Sequence, residues 1–403
     1  MNILLLANEY PFVEDKNPDR TKVVGYFAKE WVKQGHHVIA IVNSSAFPAF
    51  YYWIGEKTIS VITKICNISR SVDRLWTRPF SYEENGVYVE NLPMRKLIPH
   101  SSFSKRVISK QVSEIEKVLN RKDFRPQIII GHWMNPQMRL IPSLAQKYGA
   151  KSALVFHADC QCALRQSGKV QKFIDQIDHI GFRSKYAAEQ AKQFLAFRKE
   201  PFVAASGIPD AFIKEFDSLP ERQRKGSFLR IITAARLLEY KKIDVIIDAT
   251  AKTFSCDEYD LTIVGEGPLK SKLENRIREN KCETSVHLIG KVERIDLQKI
   301  MRQNDVFVLI SIRETFGLVY LEAMLHGCIV IASRYGGVDG IIEDGKNGFL
   351  CAEGNEEELV TILKRIANMP EKEKEEIRTK AHLTAKQYSE TNVAINYLKS
   401  AME

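Results

Sequence analysis

Short apolar runs alternate with segments of helical periodicity through most of the chain. At its start, the apolar run Asn2–Leu6 is followed by Lys22–Gln34, whose apolar positions fall on one side of a helix. Gly35 stands where that helix would stop, and His37–Val42 is a second apolar run. Strand, helix, glycine and strand in this order predict a βαβ unit of a parallel sheet.

The same alternation continues on both sides of a polar, turn-rich segment at residues 208–226, where we place a domain boundary. Before it, apolar runs predict strands at Pro126–Ile130, Ser152–Phe156 and Phe202–Ala205, with a helix at Pro136–Lys147. After it, strands are predicted at Leu229–Thr233, Leu261–Val264, Ser285–Leu288, Val306–Ile310 and Ile329–Ala332, with helices between them and a charged helical tail. The chain therefore reads as two successive parallel α/β domains, with ligands expected at the carboxyl ends of strands facing an inter-domain cleft.

The positive charge is concentrated in the first half. The chain has 403 residues and a formal net charge of +9. Residues 1–200 carry 30 basic and 18 acidic side chains, whereas the remainder carries 29 and 32. Aromatic residues stand among basic ones in Ala46–Arg121, which suits an anionic membrane surface. Solubility is the alternative explanation of the charge, and ordinary packing that of the aromatic residues.

Nothing in the sequence predicts secretion or a membrane span. No apolar run approaches 18 residues, and the N-terminal run meets polar Asn8 and Glu9 too early for a signal peptide. The scattered cysteines favour a reducing cytosol over a disulfide framework. Cys160 and Cys162 could ligate a metal, but no second pair stands at zinc-like spacing. We therefore expect a cytoplasmic protein, peripheral on the inner face of the membrane if it binds there.

The segment from Ser311 to Ala323 carries the most informative chemistry. It follows a predicted strand, and Gly317 stands where the chain turns into a helix whose free N–H groups can hold a phosphate. Glu314 precedes that helix and Glu322 lies two turns inside it. Two carboxylates can therefore accept hydrogen bonds from the hydroxyl groups of a sugar. The alternative is a surface helix with a capping glutamate.

Other strand ends add matching chemistry. Arg236 and Lys241 follow one strand, where two cations can converge on a diphosphate. Gly265 lies in a glycine-rich strand exit before a helix. Gly290, followed by Lys291-Val292, ends another strand, where exposed backbone could meet the edge of a nucleotide base.

In this order and spacing, the series resembles the nucleotide-sugar half of the retaining glycosyltransferases of family 4, which have the GT-B fold. The resemblance implies an α/β protein with two Rossmann-like domains facing across a cleft. Residues 1–207 would form the acceptor-binding domain and 208–386 the nucleotide-sugar-binding domain. Residues 387–403 would form a helix that returns to the first domain.

The resemblance also implies a role for each residue. The implied catalytic residues are His157, Arg236, Lys241 and Glu314. The implied donor-binding residues are Gly25, Gly265, Gly290, Lys291, Val292, Thr315, Phe316, Gly317, Leu318 and Glu322. Within this set Glu314 would hold the donor sugar and Glu322 the ribose. Trp133 and Asn135 are placed on the acceptor side. A buried histidine at a strand end is the alternative for His157.

Two positions depart from the family pattern. The loop after the first strand has only Gly25 where a Gly-Gly pair is frequent, and Asp339-Gly340 stands where a Pro-Glu pair usually follows Gly336-Gly337. We expect the second change to loosen its loop.

The expected reaction moves a sugar from a nucleotide diphosphate donor to an acceptor hydroxyl on a lipid-linked or growing glycan of a cell-surface polysaccharide. No Asp-x-Asp motif occurs, so we expect Arg236 and Lys241 to replace a metal, with no cofactor beyond the donor as co-substrate. The alternatives are a nucleotide-sugar epimerase of the same fold and a transferase acting on a soluble acceptor. A catalytically silent scaffold is a further possibility. A nucleic-acid partner is not expected, because no binding module is recognisable.

Overall fold

The computed structural model describes residues 1–12, 21–47, 74–96, 103–157, 167–220, 228–312 and 314–403. They form two compact units. Unit 1 comprises Met1–Arg183, Ala187–Ala204 and Ala394–Glu403, and unit 2 comprises Ser184–Tyr186 and Ala205–Val393. The boundary thus follows Ala204 rather than residue 207, and the tail joins unit 1 from Ala394 rather than from 387. Much of the aromatic and basic segment, with Cys160 and Cys162, lies outside the described residues.

The strands of the first half are β1 (Asn2–Ala7), β2 (His37–Val42), β3 (Ser45–Ala46), β4 (Phe80–Glu84), β5 (Val87–Asn91), β6 (Met94–Arg95), β7 (Ile128–His132), β8 (Lys151–Phe156), β9 (His179–Phe182) and β10 (Phe202–Val203). Eight of them form one sheet in the order β10-β9-β8-β7-β1-β2-β5-β4, and β3 pairs with β6. The pairings in the large sheet are parallel except that of β4 with β5. In β1, Ile3–Ala7 are fully buried, as expected for a parallel sheet covered on both faces.

The helices of the first half are α1 (Val23–Lys33), α2 (Lys105–Arg121), α3 (Gln137–Tyr148), α4 (Ser167–Ile174) and α5 (Lys185–Lys192). Gly35 follows α1 at φ 82°, a left-handed conformation that glycine adopts without strain. At the start of α2, Ser104 accepts a hydrogen bond from the Val107 amide at 3.3 Å.

The strands of the second half are β11 (Leu229–Ala234), β12 (Tyr259–Val264), β13 (Val286–Gly290), β14 (Val306–Leu309), β15 (Ile329–Ser333) and β16 (Phe349–Cys351). They form a parallel sheet in the order β13-β12-β11-β14-β15-β16. The helices are α6 (Asp210–Glu215), α7 (Ile243–Thr253), α8 (Lys270–Glu279), α9 (Arg294–Gln303), α10 (Leu318–Leu325), α11 (Glu356–Asn368), α12 (Glu371–Gln387) and α13 (Glu390–Ser400). Because the strands are parallel, their carboxyl ends meet at one edge, where the loops with the predicted residues begin.

Candidate functional site

The glycines after β12 let two backbone loops approach closely. An added Cβ at Gly265, which has φ 140°, would lie 1.9 Å from the carbonyl oxygen of Ala235. One at Gly267 would lie 2.5 Å from the carbonyl oxygen of Leu237. The Leu237 amide donates to the carbonyl of Glu266 at 2.9 Å. These glycines therefore bring the segment with Arg236 and Lys241 against the loop after β12.

Lys241 and Glu314 form an ion pair at this edge of unit 2. The Lys241 Nζ lies 2.5 Å from Glu314 Oε2, and the side chains are 13% and 14% exposed. The Ile312 amide donates to the Tyr240 carbonyl at 2.7 Å, which ties the two loops together beside the pair. The structure thus joins two residues that were assigned to different parts of one ligand. Arg236 is exposed on the same loop.

The start of α10 depends on the conformation of Gly317. This residue has φ 75°, and an added Cβ would lie 2.3 Å from the ring of Tyr320. The Tyr320 hydroxyl donates to the Leu309 carbonyl at 2.8 Å, which anchors the first helical turn to β14. The first amides of a helix have no partner within it, so this turn can offer N–H groups to an anion. Phe316 is buried and Thr315 exposed.

The loop after β15 supports the same turn. An added Cβ at Gly337 would lie 2.1 Å from the Cα of Phe316, so the two backbones are in direct contact. Asp339 accepts a hydrogen bond from the Tyr335 amide at 2.8 Å. Tyr335 is 58% exposed and has φ 65°. The loop thus has a carboxylate hydrogen bond of its own, and its loosening stays a prediction.

Glu322 lies on α10 and pairs with a residue that the sequence did not single out. Its Oε1 accepts from Arg294 Nε at 2.9 Å and also from Arg294 Nη2. The Glu322 side chain is 6% exposed, and the guanidinium lies 5.2 Å from the ring centroid of Phe212. Arg294 begins the helix after β13. This position after a strand end is the sequence feature that could have marked it as a candidate site residue. The pairing itself joins residues 28 positions apart.

The backbone at the end of β13 is open on the side where a Cβ of Gly290 would lie. Gly290 has φ 77°, and no atom lies within 4 Å of the position a Cβ would take. Its carbonyl accepts from the Gly265 amide at 2.8 Å. Lys291 is exposed and Val292 half-buried. Glycine is thus required here by backbone conformation rather than by close packing.

In unit 1, His157 follows β8 and has ordered neighbours. The Trp133 ring stacks on it with 4.2 Å between centroids, and its Nε2 lies 2.7 Å from His132 Nδ1. Burial, followed by the electrostatic interactions with His132 and Arg183, holds the pKa of His157 well below its usual value. Burial lowers the pKa of His132 to about 3. Both rings are therefore neutral near pH 7.

Asn135 and Gly25, which were also predicted as site residues, contact other residues of unit 1. The Asn135 carbonyl accepts from Asn8 Nδ2 at 3.1 Å, and its Oδ1 is buried with no hydrogen-bond partner among the described residues. Gly25 lies inside α1, where an added Cβ would meet Pro11 at 2.5 Å. Packing of Pro11 against α1 is thus a sufficient reason for this glycine.

Residues 215–383 match the family model for glycosyl transferases group 1. The chain is a glycosyltransferase. Relatives of this glycosyltransferase include an uncharacterized glycosyltransferase of Methanocaldococcus jannaschii, 25% identical over 341 residues that cover 82% of this chain and 90% of that protein. The amylovoran biosynthesis glycosyltransferase AmsK of Erwinia amylovora is 32% identical over 34% of this chain and 36% of that protein. The alpha-monoglucosyldiacylglycerol synthase of Acholeplasma laidlawii is 26% identical over 58% and 56%.

Solved structures show that this glycosyltransferase has the GT-B fold, as the sequence predicted. The Anabaena HepE structure in complex with UDP and glucose superposes with a TM-score of 0.61 at 16% identity, covering 100% of this chain and 99% of that one. The lipopolysaccharide outer core galactosyltransferase WaaB gives 0.67 at 18% identity, with the same coverage. None of the helices described is long and apolar enough to cross a membrane.

Proposed function

We propose that this glycosyltransferase moves a sugar, with retention of anomeric configuration, from a nucleotide diphosphate sugar to an acceptor hydroxyl. The acceptor we propose is a lipid-linked or growing glycan. The observation that carries the proposal is the Lys241–Glu314 pair beside the start of α10. A cation, a carboxylate and helix-start amides at one strand edge match a diphosphate attached to a sugar.

Departure of the nucleoside diphosphate is the demanding step, because negative charge develops on the phosphate oxygen as the glycosidic bond breaks. In the proposed arrangement Lys241 and Arg236 face that charge, and the amides of Phe316, Gly317 and Leu318 add fixed dipoles. Glu314 holds hydroxyls of the sugar, and Lys241 fixes its carboxylate. Glu322 holds the ribose, and the backbone at Gly290, Lys291 and Val292 meets the base. These cations support a reaction that needs no metal.

Support for the acceptor comes from the names of relatives and from α2. One relative is named for diacylglycerol glucoside synthesis and another for amylovoran biosynthesis. Helix α2 and the residue after it present exposed cations at Lys105, Arg106, Lys110, Lys117, Arg121 and Lys122. We propose peripheral attachment to anionic lipid at the inner face of the membrane. Binding to vesicles with phosphatidylglycerol should exceed binding to phosphatidylcholine alone and weaken with salt. Equal binding to both would contradict it.

The function is tested with a panel of nucleotide sugars differing in base and sugar. One donor should be turned over, slowly to water and faster to a glycan acceptor, and ethylenediaminetetraacetate should change little. Lys241→Met should lose this activity, whereas Lys252→Met, which removes an exposed lysine of α7 paired with Glu356, should keep it. Epimerisation of the donor without acceptor would favour an epimerase. Turnover of no donor, or loss with the chelator, would contradict the proposal.

A further inference from the structure

A row of hydrogen-bonded side chains runs through unit 1 to His157. Tyr397 Oη lies 3.1 Å from His132 Nε2, and His132 Nδ1 lies 2.7 Å from His157 Nε2. Tyr397 belongs to α13, His132 ends β7 and His157 follows β8. Tyr397 is 1% exposed and His132 is fully buried. Water therefore does not compete for the inner end of this row.

The direction of the first hydrogen bond follows from what a buried phenol requires. Burial raises the pKa of Tyr397 well above its usual value, so its hydroxyl keeps the proton. A buried hydroxyl proton without an acceptor destabilises the fold by the full free energy of its desolvation. The hydroxyl therefore donates to the acceptor that is present. Among the described residues that acceptor is His132 Nε2. Tyr397 donates, and Nε2 of His132 carries no proton.

The second hydrogen bond follows from the first. A neutral imidazole has one proton, and with Nε2 accepting, His132 must carry it on Nδ1. This Nδ1–H donates to His157 Nε2, which then accepts and carries no proton. Burial lowers the pKa of both rings, and the charge of the buried Arg183 lowers it further, so each ring stays neutral. The proton of His157 is left on Nδ1.

We propose that Tyr397 and His132 are positioning residues that fix His157 as its Nδ1–H tautomer, so that His157 offers the ligand a hydrogen-bond donor and not a base. The stacked Trp133 ring and the bond to Nε2 hold the imidazole in place. A donor at this position suits a hydroxyl oxygen of the sugar. The proposal rests on the proposed function only for the identity of that ligand.

The tautomer can be read directly in the full chain labelled with ¹⁵N-histidine. Long-range ¹H–¹⁵N correlation spectra distinguish a protonated ring nitrogen from an unprotonated one, and the spectrum of His157→Gln assigns the signals. In the wild type, both His157 and His132 should be protonated on Nδ1. Tyr397→Phe should shift His157 towards the Nε2–H form. Tyr148→Phe, which removes a half-buried hydroxyl at the end of α3, should leave both rings unchanged.

Kinetics test whether the tautomer matters. Tyr397→Phe should lower kcat about 10-fold, a part of the 10²–10³-fold loss typical of removing a whole donor, with a change in KM below about 2-fold. Nucleoside diphosphate affinity should not change, because its proposed site lies in unit 2. Normal kcat in Tyr397→Phe with an altered tautomer would overturn the positioning role. An Nε2–H or doubly protonated His157 in the wild type would overturn the proposal, even if Tyr397→Phe failed to fold. Normal activity of His157→Gln would instead count against a role of His157 in transfer and leave the tautomer result standing.

Discussion

Lys241→Met removes one side of the Lys241–Glu314 pair and leaves a carboxylate that is only 14% exposed. Two charges about 4 Å apart attract by about 4 kcal/mol at an effective dielectric constant of 20. Loss of one partner of a fully buried pair costs about 3–5 kcal/mol. Because this pair retains some solvent contact, we expect unit 2 to lose about 1–3 kcal/mol of unfolding free energy.

The effect on activity should be larger than the effect on folding. If Lys241 faces the leaving diphosphate, its removal takes away one electrostatic stabiliser of the transition state, which costs about 10²–10³-fold in kcat. Glu314→Gln leaves the cation in place, so it should weaken selection among donor sugars while sparing nucleoside diphosphate binding. The double variant carries no unpaired charge. It should recover most of the lost stability and none of the activity.

The assays are urea denaturation of unit 2 and initial rates with the donor found in the panel. Lys252→Met is the matched control, because the same substitution removes an exposed pair between α7 and α11 that should be worth less than about 1 kcal/mol. A Lys241→Met variant that is destabilised but keeps kcat/KM within about 3-fold of wild type would refute the reasoning. Lys241 would then serve only to hold the Glu314 loop.

Further outcomes follow from other contacts. Arg294→Ala should weaken nucleoside diphosphate binding about 10-fold in calorimetry, because Glu322 loses its guanidinium partner; unchanged affinity in both Arg294→Ala and Glu322→Gln would remove Glu322 from the ribose. Gly265→Ala should destabilise unit 2 by about 3 kcal/mol in urea, since the methyl group would lie 1.9 Å from the Ala235 carbonyl oxygen. Burial lowers the pKa of His326 to about 3. Between pH 6.5 and 3 this histidine is therefore protonated in the unfolded chain and neutral in the folded one. His326 alone should make stability fall by about 1.4 kcal/mol per unit as pH drops through this window, and His326→Gln should reduce the slope by that amount. An unchanged slope would contradict it.

The predicted parallel strands agree with the structure to within about two residues at most ends. Such strands are buried on both faces, so their sequences are continuous apolar runs, a pattern that few other segments of the chain have. The antiparallel pair β4–β5 was not predicted, although Asn85-Gly86 at φ 52° and 76° is a strong signal for a two-residue hairpin. Its strands carry polar residues among the apolar ones, so they lack the continuous apolar run that predicts a buried parallel strand.

Local sequence indicated the loops of the candidate site but not the ion pairs and hydrogen bonds between its residues. Glycines at strand ends identified the loops because a glycine there has a backbone reason visible in the sequence. The Arg294–Glu322 pair joins two helices, and Tyr397 meets His132 across 265 positions. Such contacts depend on how strands are ordered in the sheet, which residue spacing along the chain does not contain.

The last ten residues of unit 1 are synthesised after nearly all of unit 2. Residues 205–393 leave the ribosome between Ala204 and Ala394, an interval of roughly 10–40 s at about 5–20 residues per second. During it the Trp31 indole lacks its acceptor, the Ala394 carbonyl, and His132 lacks the Tyr397 hydroxyl. The core of unit 1 is thus incomplete while unit 2 is synthesised, because Phe27 and Trp31 lack their ring contacts with Tyr397 until α13 is made.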